Sequence, residues 1–202
     1  MSGSAGSAPR VGVLSLQGDV REHAQVLTQL GAEVTLVRRA SELAAVDGLV
    51  LPGGESTVID KLSRSFGLQA PLREAIAAGL PVLGTCAGLI LLADRLADGI
   101  TGQETFGGID ATVRRNAFGG QVESFEADLD VAIFEPPTVR AAFIRAPVIE
   151  EVGSSATALA ALPDGRVVAA EQGNLLAMAF HPESTGETRF HRRFLDRVSS
   201  RV

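Results

Sequence analysis

Apolar residues along this chain fall into short unbroken runs, separated by segments in which they recur every three or four positions. "RVGVLSLQGD" is a run of β-branched and leucine residues that stops at Gln17-Gly18, which predicts a buried strand followed by a turn. From Val20 the spacing changes. Val20, Ala24, Leu27 and Leu30 share one helical face, and Gly31 supplies a typical C-terminal cap. "EVTLVRR" predicts a second strand, and "SELAAVDGLVLPGG" a short helix and a third strand. "ESTVIDKLSRSF" and "APLREAIAAG" have helical periodicity, "LPVLGT" reads as a strand, and "CAGLILLADRLA" as the helix after it. Strands that are continuously apolar and alternate with helices imply a parallel sheet covered on both faces.

After Gly99 the pattern shifts to strands joined by glycine turns: "TFGGIDATVRRNAFGGQVESFEADL", "TVRAAFIRAP" and "ATALAALPDGRVVAAEQGNLLAMAF". Asp164-Gly165 is a strong hairpin signal. "ESTGETRFHRRFLDRVSS" closes the chain as an amphipathic helix. The predicted architecture is α/β: a mostly parallel open sheet with antiparallel additions in its second half. In such folds, sites gather beyond the carboxyl ends of the strands.

The 202 residues fit one well-buried domain. Residues 1–9, small and polar up to Pro9, read as a disordered leader without the apolar core of a secretory signal, and residues 10–202 as a single domain. A net charge of −6 argues against a nucleic-acid partner, which calls for a basic face. The longest apolar stretch, Leu80 to Ala93, is too short and glycine-broken to span a bilayer. A single cysteine makes no internal disulfide, so a reducing, cytoplasmic setting is expected.

That cysteine sits in "GTCAG", a G-x-C-x-G at a strand-to-helix junction. The spacing is that of a nucleophile elbow with cysteine in the serine position. Glycines on either side permit a sharp turn, and the start of a helix favours thiolate at Cys86. A small buried hydrophobe is the competing interpretation of the same residue. A thiolate needs a base, and the chain offers His23, His181 and His191. His23, on the first helix, and His191, in the arginine-rich last helix, read equally well as solvated surface histidines. His181 ends the strand "LLAMAF" and precedes Pro182-Glu183. The residue before a proline is held extended, so residues 181 and 183 are expected on one side, carboxylate against imidazole. Orientation of a base by a third group is the logic of a catalytic triad, Cys86, His181 and Glu183 here. The N–H of Ala87, just after the nucleophile, is a natural oxyanion donor. "LPGGES" is either a second donor loop, with Gly54 supplying the N–H, or a plain glycine turn. No metal site is expected, because one cysteine and three scattered histidines give no ligand spacing.

With these residues in view, "LQGDVREH", "LPGGEST", "GTCAGLILLA", "RNAFGGQVESFEADL", "FIRAP" and "FHPE" together resemble, in order, the PdxT/SNO family. These are the glutaminase subunits of pyridoxal 5'-phosphate synthase, within the class I, triad-type glutamine amidotransferases. The resemblance runs from Val11 to about Val198. It implies a flavodoxin-like three-layer sandwich, no cofactor, and hydrolysis of L-glutamine to glutamate and ammonia by Cys86, His181 and Glu183. It further implies glutamine contacts at Gly53, Gly54, Glu55, Arg115, Ile144 and Arg145, with Gln17 near the oxyanion hole and sensitive to a partner. That partner is a separate (β/α)8-barrel synthase subunit that receives the ammonia. The sequence departs from the family at Gly120, where an arginine usually precedes Gln121. A cysteine peptidase with the same elbow, and a regulator that kept the fold without the chemistry, are the rival functions. The "HPE" pair and the arginines of "RRN" and "FIRAP" speak against the first, the intact Cys86, His181 and Glu183 against the second.

Overall fold

The computed structural model describes residues 8–118 and 124–201. The expected leader up to Ser7, and the Gly120–Gln121 departure, lie outside the described residues. The first half alternates as the hydrophobic runs predict. β1 (Arg10–Leu14) leads to α1 (Val20–Gln29), β2 (Glu33–Val37), α2 (Ala40–Leu43) and β3 (Gly48–Leu51). Then follow α3 (Ser56–Ser65), α4 (Gln69–Ala77), β4 (Val82–Thr85) and α5 (Ala87–Leu92). The second half carries β5 (Ala93–Leu96), β6 (Ile109–Arg114), β7 (Ser124–Asp130), β8 (Thr138–Ile144) and β9 (Val148–Val152). β10 (Thr157–Ala161), β11 (Val167–Gln172), β12 (Leu175–Met178), α6 (Pro182–Thr185) and α7 (Arg189–Arg201) complete it.

The main sheet has the order β2-β1-β3-β4-β12-β11-β9-β6-β5, with β10 on β11, while β7 and β8 form a separate hairpin. β3, β4 and β12 are buried at every position. Successive side chains of a strand point to opposite faces, so burial of all of them means that both faces of the sheet are covered. A helical layer lies over each face of this α/β fold, and each fully buried Val or Leu in it contributes about 1.5–3 kcal/mol.

Three expectations are corrected. First, "CAGLILLADRLA" does not stay helical: α5 ends at Leu92 and Ala93 takes an extended conformation into β5. The polar residues of that segment are used in pairing with β6. Asp94 accepts from the Gly108 N–H at 2.7 Å, and Arg95 donates to Asp110 at 2.9 Å. Second, "LLAMAF" is not one of the antiparallel additions on its β4 side. β12 lies parallel to β4 in the middle of the sheet, where its uninterrupted apolar run belongs, and is antiparallel only to β11. Third, the closing segment is two helices, α6 and α7, broken at Gly186, which adopts a left-handed conformation (φ 73°). The Asp164-Gly165 turn joins β10 and β11 as an antiparallel pair, as expected.

Candidate active site

The insertion of β12 beside β4 builds the centre of the site. The register aligns Met178 with Thr85 at the carboxyl ends of two neighbouring parallel strands. The N–H of Cys86 donates to the Met178 carbonyl at 2.8 Å. One residue past β4 stands Cys86, and three past β12 stands His181. Cys86 holds φ 49° and ψ −101°, the strained corner of a strand-to-helix elbow. The glycines of "GTCAG" permit it: a Cβ at Gly84 would lie 2.8 Å from the Gly88 backbone, and one at Gly88 would lie 2.2 Å from the Leu51 carbonyl oxygen. The Cys86 side chain is not the exposed apex expected. It is 8% accessible and lines a cavity of about 350 Å³.

His181 and Glu183 meet as expected but by a different route. His181 lies outside the helical region (φ −111°, ψ 83°), but Pro182 opens the short helix α6, so Glu183 returns to the ring through a helical turn rather than through strand alternation. His181 Nδ1 lies 2.8 Å from Glu183 Oε1, leaving Nε2 for Cys86. A second carboxylate is also present. Asp19 Oδ2 stands 3.3 Å from the same Nδ1, a residue that the sequence pattern does not single out although it ends "LQGD". Burial pushes the His181 pKa down, but hydrogen bonds to Asp19, Cys86 and Glu183, with the charge of Cys86, outweigh it and hold the ring up at about 12. Asp19, His181 and Glu183 place one ligand atom each within 4.8 Å of one another. Two of these atoms are already consumed in the Nδ1–carboxylate bond, so the donor set suits an oriented imidazolium better than a metal ion.

The other expected residues surround the same cavity. Gly54, Glu55, Arg115, Ile144, Arg145 and Gln17 all line it. Gly53 lies against the imidazole, since a Cβ there would be 2.5 Å from His181 Cε1. Ala87 begins α5, so its N–H is among the helix donors without an intrahelical partner. Gly54 has φ 153°, and a Cβ would fall 2.5 Å from Gln17 Oε1. That oxygen accepts from the Glu55 N–H at 2.7 Å, and Asp19 N–H donates to the Gly53 carbonyl at 3.0 Å. The turn after β1 therefore clasps the turn after β3. Arg115, mostly buried, donates to Gln103 at 3.0 Å and stands 3.5 Å from the exposed Glu55 carboxylate.

Strain marks the cavity independently. Among the described residues, the non-glycine positions with positive φ are Cys86, Asn116 (44°) and Arg145 (43°), and all three line it. Each such conformation costs on the order of 1–3 kcal/mol, so three around one cavity point to a selected geometry. His23 and His191 are corrections. Neither is a solvated surface histidine; both are fully buried behind Glu183.

Known proteins match over nearly the whole length. The model of the SNO glutamine amidotransferase family covers residues 13–200. "Pyridoxal 5'-phosphate synthase subunit PdxT" of Leifsonia xyli is 63% identical over 198 residues, 98% of this chain and 100% of that protein. The PdxT of Clavibacter michiganensis is 62% identical over 193 residues, 96% of this chain and 92% of its own. A crystal structure of a glutamine amidotransferase superposes with a TM-score of 0.86 at 44% identity, covering 94% of this chain and 98% of that one. A putative GMP synthase protein of Thermoplasma acidophilum shares the fold, with a TM-score of 0.68 at 21% identity over 96% of this chain and 95% of that one. Matched from Val13 to Ser200, with Cys86, His181 and Glu183 all inside that span, the chain belongs to the SNO family of glutamine amidotransferases.

Proposed function

We propose that this chain hydrolyses L-glutamine to L-glutamate and ammonia at Cys86, and passes the ammonia to a synthase subunit that makes pyridoxal 5'-phosphate. Its relatives' names support the pathway. The chemistry rests on one observation above the others: His181, bonded through Nδ1 to Glu183 at 2.8 Å and faced by Asp19 at 3.3 Å, lines one cavity with the strained Cys86. An imidazolium next to a thiol stabilises the thiolate, which is the reactive form.

In this reading the Cys86 thiolate attacks the side-chain amide carbon of glutamine. The developing oxyanion is met by the N–H groups of Ala87 and Gly54. His181 Nε2–H gives its proton to the departing nitrogen, ammonia leaves, and an acyl-thioester remains. Neutral His181 then takes a proton from water, which attacks the thioester, and collapse of the second tetrahedral intermediate returns the Cys86 thiolate and the imidazolium. Glu183 and Asp19 stabilise the charged ring in each cycle. A free amino acid presents a carboxylate and an ammonium, which call for a cation and an acceptor. Arg115 and Glu55 supply them, with backbone groups of Gly53, Ile144 and Arg145 fixing the remainder. Residues 10–202 act as one amidotransferase domain in the cytoplasm, and the ammonia acceptor is a (β/α)8-barrel subunit.

The test is release of glutamate from glutamine with and without the synthase subunit of a close relative, followed by pyridoxal 5'-phosphate formation. Glutamate release that depends on Cys86 supports the reading. Peptide cleavage in its place would favour the peptidase, and binding of the synthase without turnover would favour a regulator.

A further inference from the structure

Behind Glu183, away from the cavity, lies a row of buried polar groups that the mechanism above leaves unused. His23, from α1, puts Nδ1 3.0 Å from His191 Nε2 of α7, and Nε2 3.0 Å from Thr85 Oγ1 at the end of β4. The same Nε2 is 3.6 Å from Glu183 Oε2. Both imidazoles are fully buried and the Glu183 side chain is 1% accessible. Among the described residues, neither Glu183 Oε2 nor His191 Nδ1 has a partner within hydrogen-bond distance.

A buried carboxylate oxygen without a donor is costly, so the proton inventory is informative. Burial pushes the His23 pKa well below its ordinary value, and the charges of His191 and His181 push in the same direction. Burial takes His191 down to about 4, against a contact with the Glu187 backbone carbonyl and the Glu187 charge, which both pull it up. Both rings are therefore neutral at neutral pH, and each carries one N–H. Only one arrangement gives Glu183 Oε2 a donor: His191 Nε2–H donates to His23 Nδ1, and His23 Nε2–H points at Thr85 Oγ1 and Glu183 Oε2. His191 Nδ1, which has no partner within hydrogen-bond distance, then carries the lone pair. The opposite tautomers would set a bare nitrogen of His23 against the carboxylate. A movement of about 0.5 Å brings the 3.6 Å separation into hydrogen-bond range.

We propose that His23, with its tautomer fixed by His191, is a positioning residue that holds the second oxygen of Glu183 and thereby the plane of His181. The inference rests on the glutaminase reading of the site. Geometry gives His23 a second hold, because Thr85 immediately precedes Cys86: one ring spans the strand end that carries the nucleophile and the turn that carries the acid. Groups facing His23 come from α7 (His191), β4 (Thr85) and α6 (Glu183), with His181 beyond, so its donor has no competing charged partner among the described residues.

Two isosteric variants separate positioning from packing. In His23→Gln the amide nitrogen reaches the place of Nε2, whereas in His23→Asn it reaches only that of Nδ1. Both are measured with the synthase subunit, beside wild type, Cys86→Ala, Glu183→Ala and the double variant His23→Asn/Glu183→Ala. His23→Gln should stay within about 3-fold of wild-type kcat, while His23→Asn should lose about 10- to 100-fold with KM within about 2-fold. In the Glu183→Ala background, His23→Asn should cost no more than about 2-fold further, because nothing is left to position. Equal kcat in the Gln and Asn variants, or the same loss from His23→Asn with and without Glu183, overturns the proposal. Wild type that releases no glutamate, or Cys86→Ala that still does, overturns the glutaminase reading itself and this inference with it. Should His23→Asn fail to fold by its thermal melt, His191→Phe takes its place. That change frees the His23 tautomer without touching Glu183, and wild-type kcat there would equally overturn the proposal.

Discussion

Gly88 lies so close under the end of β3 that a Cβ on it would stand 2.2 Å from the carbonyl oxygen of Leu51. The contact is with backbone, which does not swing aside as a flexible side chain would. Gly88 is also two residues past Cys86, in the first turn of α5. Gly88→Ala should therefore push α5 away from β3 and carry Cys86 and the Ala87 N–H with it. Overpacking of this kind costs about 1–3 kcal/mol, or about 2–12 °C of melting temperature in a chain of this size. Activity should fall further than stability, by more than about 10-fold, because a small misplacement of the nucleophile is expensive. Calorimetry and glutamate release on the same preparation check both.

The proposed triad of Cys86, His181 and Glu183 predicts an order of losses. Cys86→Ala should abolish glutamate release while the fold persists, and Cys86→Ser should be little better, since a hydroxyl ionises far less readily than a thiol. His181→Asn should be nearly inactive, with a loss of roughly 10⁴-fold or more. Glu183→Gln should be hurt less, by about 10- to 100-fold. It keeps the shape, and Asp19 at 3.3 Å remains to face the charged ring. Steady-state ammonia release in the complex measures all four; a Glu183→Gln loss as large as that of His181→Asn would contradict the part given to Asp19.

The three histidines also predict how stability follows pH, with opposite signs. His23 and His191 have folded pKa values below 6.5, the latter at about 4. Unfolded chains take up protons at these rings first, so stability is fully present above pH 6.5 and falls as pH drops from 6.5 toward 4. His191 alone contributes a fall of about 3 kcal/mol over that window. His181 runs the other way. Its folded value of about 12 means that stability is fully present below pH 6.5 and is lost as pH rises toward 12. The maximum should thus lie near pH 6.5. Denaturant midpoints measured between about pH 4.5 and 9 should fall on both sides, and His191→Gln should flatten the acid limb alone.

Much of this was legible in the sequence, for identifiable physical reasons. Uninterrupted apolar runs at Val11–Leu14, Leu49–Leu51 and Val82–Leu83 name strands buried on both faces, and the glycines of "GTCAG" name an elbow. Less visible was anything decided by tertiary pairing. Asp94 and Arg95 continue a helical pattern locally, yet their bonds to Gly108 and Asp110 make a strand. β12 carries the same apolar signal whether it lies parallel or antiparallel to its neighbours. His23 and His191, 168 positions apart in the chain and 3.0 Å apart in space, leave no mark on periodicity. His23 does sit among the apolar positions of α1, three residues past Val20 and one before Ala24, and that was the available signal. Asp19 was hidden in the same way: its proximity to His181 depends on the turn after β1 meeting the segment after β12.

Gln17 carries the last prediction. Its Oε1 accepts from the Glu55 N–H at 2.7 Å, and the neighbouring Asp19 N–H holds the Gly53 carbonyl at 3.0 Å. A glycine pair alone would turn over at little cost, but here the Gly53–Gly54 peptide is tied to the turn after β1. Reversing that peptide breaks the Asp19 bond, at about 1 kcal/mol, unless the Gln17–Asp19 turn moves with it. The direction of the Gly54 N–H, the proposed second oxyanion donor, is therefore coupled to whatever touches that turn. A docked synthase partner would act at this point. An oxyanion donor is worth about 10²- to 10³-fold in turnover. Gln17→Ala removes the clasp on Glu55 while leaving Cys86, His181 and Glu183 untouched. It should reduce kcat in the complex by about 10-fold or more and blunt the rise in ammonia release as the synthase is added. Titration of the synthase into a fixed concentration of wild type and of Gln17→Ala reads this directly. Equal activation curves for the two proteins would show that the turn after β1 plays no part in setting the oxyanion donor.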